Sequence, residues 1–324
     1  MLTGPGVSLR SQVPRRRSTS WAFMLFLGYW IMFAAELSLI RFQKDPEGRW
    51  VPSLADQPAV WLSIVVLVVC ALSCVIMYCY FVCLYQERNG RSPLLAEHSL
   101  QGSDVVHVVA WVQIYQAISL FVYGLFLEAP FFLEGTAGGA FESASFQLLL
   151  LLVIPLWFRG RWEEIGLRRP VRLWRMILVL LVLLVLISQF LDVLVTKPVA
   201  DWFGLSLTSE REQKIENEII LAKENDLLAI GASILVIGLL VPLAEELLFR
   251  GVVQTYLVKR LGAAAGILIS SLWFALLHMD VAFFAPLFVI GIGLGWIRHR
   301  YQSIWGAVVL HAVNNMSGVL YYFQ

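Results

Sequence analysis

Charged side chains are scarce in this chain. Asp, Glu, Lys and Arg make up 15% of the 324 residues and nearly cancel to a net charge of +1, whereas 59% of the residues are hydrophobic. A typical soluble domain has about one quarter charged residues, so the composition excludes the soluble globular class. It also gives no electrostatic basis for binding nucleic acid. We therefore predict a membrane protein whose main surroundings are the lipid bilayer.

Cysteines are absent outside one apolar segment. The four cysteines are Cys70, Cys74, Cys79 and Cys83. At about 100° per residue they divide into two groups on opposite faces of a helix, so the thiols do not converge as a metal or redox site requires. We interpret them as small buried hydrophobic residues.

A cleavable signal peptide is also lacking. Arg10 and Arg15–Arg17 precede a full-length apolar stretch that no small-residue cleavage site follows. We therefore expect the first apolar helix to be retained as an anchor. No internal repeat is evident, and the basic tail is the only biased tract.

Long apolar runs are abundant, and a run of roughly 20 apolar residues crosses about 30 Å of hydrocarbon as a helix. The predicted spans are 21–40, 59–84, 105–127, 141–158, 173–195, 228–257, 263–278, 281–297 and 303–323. The predicted fold class is therefore all-α, a polytopic helical membrane protein with about nine transmembrane helices. Lys and Arg concentrate in alternate connections, which favours a cytoplasmic N-terminus and an external C-terminus.

A basic connection, RGRWEEIGLRRPVRLWR at 159–175, divides the chain. Four spans with few charges precede it, and the chemically unusual residues follow it. The predicted domains are a basic cytoplasmic tail (1–20), an N-terminal four-helix membrane region with its basic loop (21–172), a lead-in helix with a polar amphipathic segment (173–227) and a C-terminal helical core (228–320).

The polar stretch 196–227 contains the sequence LTSEREQKIENEIILAKENDLL, whose pattern predicts an amphipathic helix at the surface or interface. Ser209 and Glu212 have the spacing of a capping box, which marks the start of this helix. Two interpretations remain open. The helix either covers the bundle that follows or gates the access of a substrate.

Two glutamate pairs occur in the C-terminal half. Glu163 and Glu164 stand among arginines of the basic connection, where water and counter-charges solvate them, so we interpret them as structural. Glu245 and Glu246 instead lie near the middle of an apolar run, VPLAEELLFR. An unpaired carboxylate there costs at least about 2.5–3.5 kcal/mol. Such residues need a partner or a function.

Helical spacing assigns different roles to the two intramembrane acids. Glu246 and Arg250 are separated by four residues with the acid first, which is the favourable order for an ion pair on one helix face. Glu245 is turned by about 100°, and its own residue at i+4 is Phe249. Glu246 is therefore the predicted counter-ion, and Glu245 is available for chemistry. Glu36 in the first span is interpreted as an acid that pairs with a polar group on another helix.

Two further motifs follow on the last helices. FALLH places Phe274 and His278 four residues apart, and HAVNN does the same for His311 and Asn315. At a rise of 1.5 Å per residue, the polar residues of these motifs and Glu245 lie roughly 12–22 Å from the predicted cytoplasmic helix ends, within one layer. We therefore expect their side chains to converge.

The three motifs resemble those of the CPBP intramembrane proteases, also called the Abi or CAAX-protease group, whose pattern is EExxxR, then FxxxH, then HxxxN. The resemblance covers the predicted core at 228–320 and implies a CPBP-like helical fold with an endopeptidase activity. The catalytic residues that it implies are Glu245, Glu246, Arg250, His278, His311 and Asn315.

The resemblance also implies roles for these residues. Glu245 and His278 would activate a water for attack on the scissile carbonyl, while His311 and Asn315 would hold the oxyanion. Glu246 and Arg250 would fix the helix and tune Glu245. General chemistry agrees, since a carboxylate and an imidazole suit proton transfer, and amide and imidazole donors suit a developing negative oxygen.

A metal site is the alternative mechanism. The family has been described as metalloproteases, and Glu245, His278 and His311 would supply three ligands with an open fourth position. The chain lacks the HExxH motif in which one helix supplies two histidine ligands. The cofactor is therefore unknown from the sequence, and zinc is the candidate.

The leading functional hypothesis is an intramembrane endopeptidase, similar to CAAX-processing enzymes, that cleaves a membrane-anchored peptide or protein. The favoured location is the bacterial inner membrane, which the chain would cross several times. Peptide or protein substrates fit that location better than prenylated ones. One alternative is a proton-coupled transporter in which the acid and histidines form a relay, although inverted repeats and broken helices are not evident. The other is a non-proteolytic scaffold or immunity protein.

Overall fold

The computed structural model describes residues 17–55, 57–89, 99–127 and 130–322. Within these ranges the chain forms eleven helices and one β-hairpin, and the predicted helical class is confirmed. The elements are α1 (Arg17–Leu37), β1 (Ile40–Lys44), β2 (Trp50–Leu54), α2 (Val60–Asn89), α3 (Gly102–Phe126), α4 (Ala137–Ser143), α5 (Ser145–Trp157), α6 (Leu173–Phe203), α7 (Glu210–Asn225), α8 (Leu227–Leu261), α9 (Ala263–Leu277), α10 (Phe284–Tyr301) and α11 (Trp305–Tyr322). The basic tail at 1–16, His98 and the last two residues lie outside the described ranges.

The hairpin of β1 and β2 departs from the all-α expectation. The two strands are antiparallel, with Ile40 opposite Leu54, and β2 also pairs through Trp50 with the chain just after α6. The first predicted span ran on to residue 40 because apolar residues continue into the strand. In the structure α1 ends at Leu37, and the side chain of Ser38 donates to the carbonyl of Ala35 at that end.

Judged by length and composition, fewer helices qualify as transmembrane helices than the nine predicted. Five helices within the described ranges are long and apolar enough to span a bilayer, namely α1, α2, α3, α6 and α8. The bent pair α4–α5, with 59° between its helices, makes a sixth if it counts as one span. With 15 residues, α9 is about 22 Å long, which is less than the hydrocarbon thickness. The chain is a multi-pass membrane protein, and the count of nine is not confirmed.

The N-terminal helices pack directly on the C-terminal core. α1 contacts both α2 and α3, and its aromatic face also reaches α9. There Trp273 Nε1 donates to the hydroxyl of Tyr29 at 3.1 Å, and the ring of Trp30 lies 5.0 Å from that of Trp273. The four predicted N-terminal spans therefore help to form the surroundings of the motif residues.

The glutamate helix α8 is one continuous helix of 35 residues with two wide turns. π-Helical turns at Val236–Leu240 and Leu247–Val253 flank a short α-helical stretch, Val241–Glu246. Such turns are rare and often occur at functional sites. Pro242 has no N–H to donate to the preceding turn, and the first π turn accommodates that loss. Glu245 and Glu246 therefore lie at the junction of two helical geometries.

The polar segment forms the helix α7, which begins with a side-chain cap. Ser209 Oγ accepts from the N–H of Glu212 at 3.1 Å, as the predicted capping motif requires. On the protein side Ile219 and Ala222 are fully buried, while most charged residues are exposed or half-buried. The chain approaches closely at Gly135, where an added Cβ would collide with Leu221. The helix therefore packs closely against the chain just before α4.

The cysteine interpretation is correct for one residue and too simple for the others. All four cysteines are free thiols, and Cys70 is buried. Cys74, Cys79 and Cys83 are only half-buried. Helix α2 presents much of its surface outward, so residues on its outer faces have no protein neighbours to bury them.

Candidate active site

The two acids of α8 have different surroundings. Glu246 Oε2 lies 3.2 Å from Arg250 Nε, and both side chains are fully buried. The second carboxylate oxygen of Glu246 lies 3.0 Å from His311 Nδ1 on α11. We call Glu246, Arg250 and His311 the ion-pair cluster. The i, i+4 contact predicted from the sequence is present, and the cross-helix contact to His311 adds to it.

Arg250 has further partners on two other helices. Its Nη2 donates to the carbonyl of Gly291 on α10 at 3.1 Å. Its guanidinium lies 4.5 Å from the ring centre of Phe274 on α9, within the range of a cation–π contact. The ion-pair cluster therefore joins α8 to α9, α10 and α11. A buried pair with such additional bonds offsets more of its desolvation cost than an isolated pair does.

Glu245 lies at the edge of this cluster and is less saturated. Its side chain is 16% exposed, compared with 0% for Glu246. The Oε2 atoms of both acids have no hydrogen-bond partner among the described residues, but Glu246 Oε2 lies 3.2 Å from Arg250 Nε. The basic atom nearest to Glu245 is His311 Nε2, at 3.8 Å from its Oε2, too long for a hydrogen bond. The expectation that Glu245 is available for chemistry agrees with this geometry.

His278 follows the last residue of α9 and caps its C-terminus. Its Nδ1 lies 2.8 Å from the carbonyl oxygen of Phe274, one turn earlier. A carbonyl can only accept, so Nδ1 carries the proton and Nε2 of the neutral ring is left unprotonated. The same Phe274 contacts the rings of His278 and His311, at 4.6 and 5.8 Å between ring centres. The FxxxH motif thus supplies one aromatic ring that separates two imidazoles.

His311 has its ring orientation fixed by the acids. The carboxylate of Glu246 accepts from Nδ1–H, so Nε2 of the neutral ring is again unprotonated. Asn315, one turn later on α11, donates through Nδ2 to the carbonyl of Ile237 on α8 at 3.3 Å. One amide hydrogen of Asn315 is therefore used to tie α11 to the first wide turn of α8.

A cavity of about 640 Å³ brings the motif residues of the three helices together, and we call it the central cavity. Glu245, His278, His311 and Asn315 all line it, as the depth argument predicts. Glu246 and Arg250 do not. Its volume is in the range of pockets that bind small ligands or a few residues of a peptide.

The other walls of the central cavity come from elements that sequence reasoning did not connect to the site. Residues of α1, α3 and α5 form one wall and residues of α7 form another. These contacts span more than a hundred residues of chain, and no local spacing predicts them. Glu36 is the exception, since its position within an apolar span already marked it as unusual.

The amphipathic helix α7 brings charges to the mouth of the cavity. Arg211, Glu212, Lys214 and Glu218 line it, and Arg211 Nη1 lies 3.2 Å from Glu212 Oε1. Burial raises the pKa of the Glu218 carboxyl, although the hydrogen bond from the Ser143 hydroxyl and the charge of Lys214 act in the opposite direction. The helix is therefore more than a cover remote from the site.

A buried hydrogen bond ties this helix to the segment after His278. Ser209 Oγ donates to Asp280 Oδ2 at 2.5 Å, and Asp280 Oδ1 accepts from the N–H of Phe283 at 3.1 Å. Between His278 and Asp280, Met279 has a positive φ of 52°, a conformation that non-glycine residues rarely adopt. The position of α7 and the turn beside His278 are thus linked.

The remaining polar residues singled out in the sequence have partners outside the motifs. Glu164 Oε2 lies 3.7 Å from Arg161 Nη1, consistent with the interpretation that the second glutamate pair is structural. Glu36 Oε1 accepts from Gln116 Nε2 at 3.5 Å, so the expected polar partner on another helix is present. His107 lies within α3, where its Nδ1 is 2.9 Å from the hydroxyl of Tyr80.

The fit of the motif residues to zinc is poor in this arrangement. Among the residues that the structure describes, no group of three or more His, Cys, Asp or Glu side chains is arranged to hold a metal ion. Glu246 and Phe274 engage Nδ1 of His311 and of His278, which leaves Nε2 of each ring as the atom that would face a metal, so the poor fit rests on the spacing of the side chains. We therefore derive no step through a metal, and zinc binding stays a prediction that metal analysis can test.

Comparison with known proteins identifies the segment that carries the site. No curated protein and no solved structure matches the chain. Residues 228–317 match the family model described as Type II CAAX prenyl endopeptidase Rce1-like. This segment contains all three motifs, which lie on α8, α9 and α11. The resemblance to the CAAX-protease group is thereby confirmed for residues 228–317.

Proposed function

We propose that the protein is an intramembrane endopeptidase that hydrolyses a peptide bond of a membrane-anchored peptide or protein. The observation that carries this proposal is the central cavity, in which Glu245, His278 and His311 meet from three helices of the segment that matches a protease family. An acid and two imidazoles around a cavity can move protons to and from a water and a leaving amine. The surrounding helices exclude bulk water and strengthen these interactions.

Glu245 and His278 are the groups that activate the water in this proposal. Glu245 lines the cavity with a side chain that is 16% exposed, so its carboxylate can accept a proton from a water there. His278 has its Nδ1–H engaged by Phe274, which leaves Nε2 as a base. One of the two takes the proton from the attacking water, and that same proton is delivered, directly or through the other group, to the leaving nitrogen as the tetrahedral intermediate collapses.

The oxyanion role of His311 needs a protonated ring. Neutral His311 donates from Nδ1 to Glu246 and has a lone pair on Nε2, so only the imidazolium form can donate to an oxyanion. Glu246 lies 3.0 Å from Nδ1 of the ring and Glu245 lies 3.8 Å from Nε2, so a carboxylate is near each ring nitrogen. Asn315 has a second amide hydrogen that the bond to Ile237 does not use. The two donors can therefore act together on the tetrahedral intermediate.

A second, apolar cavity supports a lipid-anchored substrate. It has a volume of about 680 Å³, and Asp280 is the one polar residue among those that line it. It lies between the hairpin, the end of α6 and the segment that follows His278. The matched family is described as a prenyl endopeptidase, and a hydrocarbon chain of a prenyl or acyl anchor suits such a cavity. The peptide attached to the anchor would then enter the central cavity beside it.

Comparative peptidomics tests the proposal. Membrane fractions of cells that express the wild-type chain or Glu245→Gln at equal levels are compared for membrane-anchored peptides. We expect peptides with new termini in the wild type, and their uncleaved precursors should accumulate in the variant. Each candidate is then incubated with purified protein, and the products are identified by mass spectrometry. Identical peptide sets in both cells, and no cleavage by purified protein, would contradict the proposal.

A further inference from the structure

The wall that the N-terminal helices contribute to the central cavity contains three polar side chains. They are Glu36 on α1, Gln116 on α3 and Gln147 on α5, and we call them the acceptor patch. None of the proposed catalytic steps uses them. Each lies on a membrane helix, where a polar side chain without a function is costly.

Glu36 lacks the cationic partner that Glu212 on α7 has. It accepts a hydrogen bond from Gln116 Nε2 at 3.5 Å, and no Lys, Arg or His nitrogen within the described ranges lies within 4 Å of its carboxylate. By contrast, Glu212 lies 3.2 Å from Arg211. A carboxylate without a counter-charge on a cavity wall within the membrane favours a ligand that brings one.

The two glutamines add further acceptors to the same wall. Because Gln116 Nε2 points to Glu36, its Oε1 is left as an acceptor, and this oxygen has no hydrogen-bond partner among the described residues. The same is true of Gln147 Oε1. A buried polar atom without a partner destabilises the fold unless a ligand or water satisfies it. The patch thus has a surplus of acceptors and of negative charge.

We propose that the acceptor patch is a subsite for a cationic group of the substrate, so that the enzyme selects peptides with a Lys or Arg side chain near the scissile bond. An ammonium or guanidinium group has several N–H donors and a positive charge, and so it matches both properties of the patch. A neutral donor would satisfy the amide oxygens but would leave the charge of Glu36 uncompensated. This inference rests on the proposed function, because it names the substrate of the same cavity.

The subsite is tested with peptides that differ at one position. N-palmitoylated dodecapeptides built on a cleaved sequence carry Lys, norleucine or Glu at each position in turn, and kcat/KM is measured in detergent micelles. At one position the wild type should cleave the Lys peptide at least about tenfold better than the norleucine peptide, as a charge-assisted hydrogen bond predicts. In Glu36→Gln that ratio should fall to about one. Glu212→Gln, which removes a carboxylate from the opposite wall, is the matched control and should keep the ratio.

The remaining experiments distinguish a failure of this inference from a failure of the proposed function. If the wild type cleaves none of the peptides, the proposed function fails. The subsite is then tested by measuring the affinity of fluorescent peptides for Glu245→Gln and for the double variant Glu245→Gln/Glu36→Gln. Equal affinity for Lys and norleucine peptides overturns the inference, and so does an equal loss of preference in Glu212→Gln. If Glu36→Gln does not fold, Gln116→Leu and Gln147→Leu should each lower the ratio severalfold. An unchanged ratio in both also overturns it.

Discussion

Glu245 and Glu246 are neighbours in the chain but belong to two regions of different character. Glu246 is in the ion-pair cluster, where it is fully buried and both of its oxygens contact basic groups. Glu245 is on the wall of the central cavity, where its side chain is 16% exposed and lies no nearer than 3.8 Å to His311 Nε2. A rotation of about 100° between neighbouring residues of one helix places one acid in a structural ion pair and the other on the cavity wall. An acid whose oxygens contact fixed basic partners is suited to a structural role. An acid with fewer such partners is suited to a chemical reaction.

The largest effect should come from the cavity side. Glu245→Gln keeps the size of the side chain but removes the base, so the catalytic rate should fall by about 10²–10⁴-fold. The melting temperature should stay close to that of the wild type, because no ion pair of the cluster is lost. Single-turnover rates and thermal unfolding of purified protein check both parts. An active Glu245→Gln enzyme would contradict the division of roles.

The two α11 residues test whether the cavity holds an oxyanion or a metal. His311→Ala and Asn315→Ala should each lower the catalytic rate by about 10²–10³-fold through loss of a donor. Asn314→Ala, which removes a neighbouring cavity residue, is the control and should have a smaller effect. Metal analysis of each purified protein and activity after chelation complete the test. Stoichiometric zinc that disappears only in His311→Ala would replace the oxyanion role with a metal site.

The cluster side should show its effect in stability. Glu246→Gln leaves Arg250 buried without a carboxylate, and the free energy of unfolding should fall by about 3–5 kcal/mol. The double variant Glu246→Gln/Arg250→Met removes both charges and should recover part of this loss. Unfolding in graded denaturant measures both. If the single variant is as stable as the wild type, the cluster does not have the structural role assigned to it.

The smallest effect should come from the link between α7 and the cavity. Ser209→Ala removes the helix cap and the bond to Asp280, and loss of a cap costs about 1 kcal/mol. Trypsin should then cleave faster at Arg211 and Lys214, while stability of the ion-pair cluster is unchanged. Asp226→Ala, which removes the cap of α8, is the matched control and should not accelerate cleavage at those sites. Cleavage rates followed by mass spectrometry decide the matter.

Local spacing explains what the sequence could predict at the site. Glu246 and Arg250 meet because residues four apart share a helix face, and this rule needs no knowledge of the fold. The rise per residue likewise placed Glu245, His278 and His311 at one depth, and they line one cavity. The motifs therefore indicated both the segment and the residues that come together.

Contacts between helices explain what the sequence could not predict. The bond from His311 to Glu246 crosses 65 residues and depends on how α11 is rotated against α8. The wall formed by α1, α3 and α5 depends on aromatic packing such as that of Tyr29 on Trp273. The hairpin was missed because β1 begins at Ile40, the last residue of the first predicted span, and because each strand has only five residues. The roles of the site residues and the domain boundaries stay predictions.

The wide turn at Leu247–Val253 makes this stretch of α8 a place where the length of the chain can change. A π turn contains one residue more than an α turn needs, so deletion of Leu248 would allow an ordinary helix to form there. The helix on either side would keep its rotation, so Glu245 would keep its face. Arg250 would become the third residue after Glu246, so the deletion would change the geometry of the ion pair and leave the cavity wall in place.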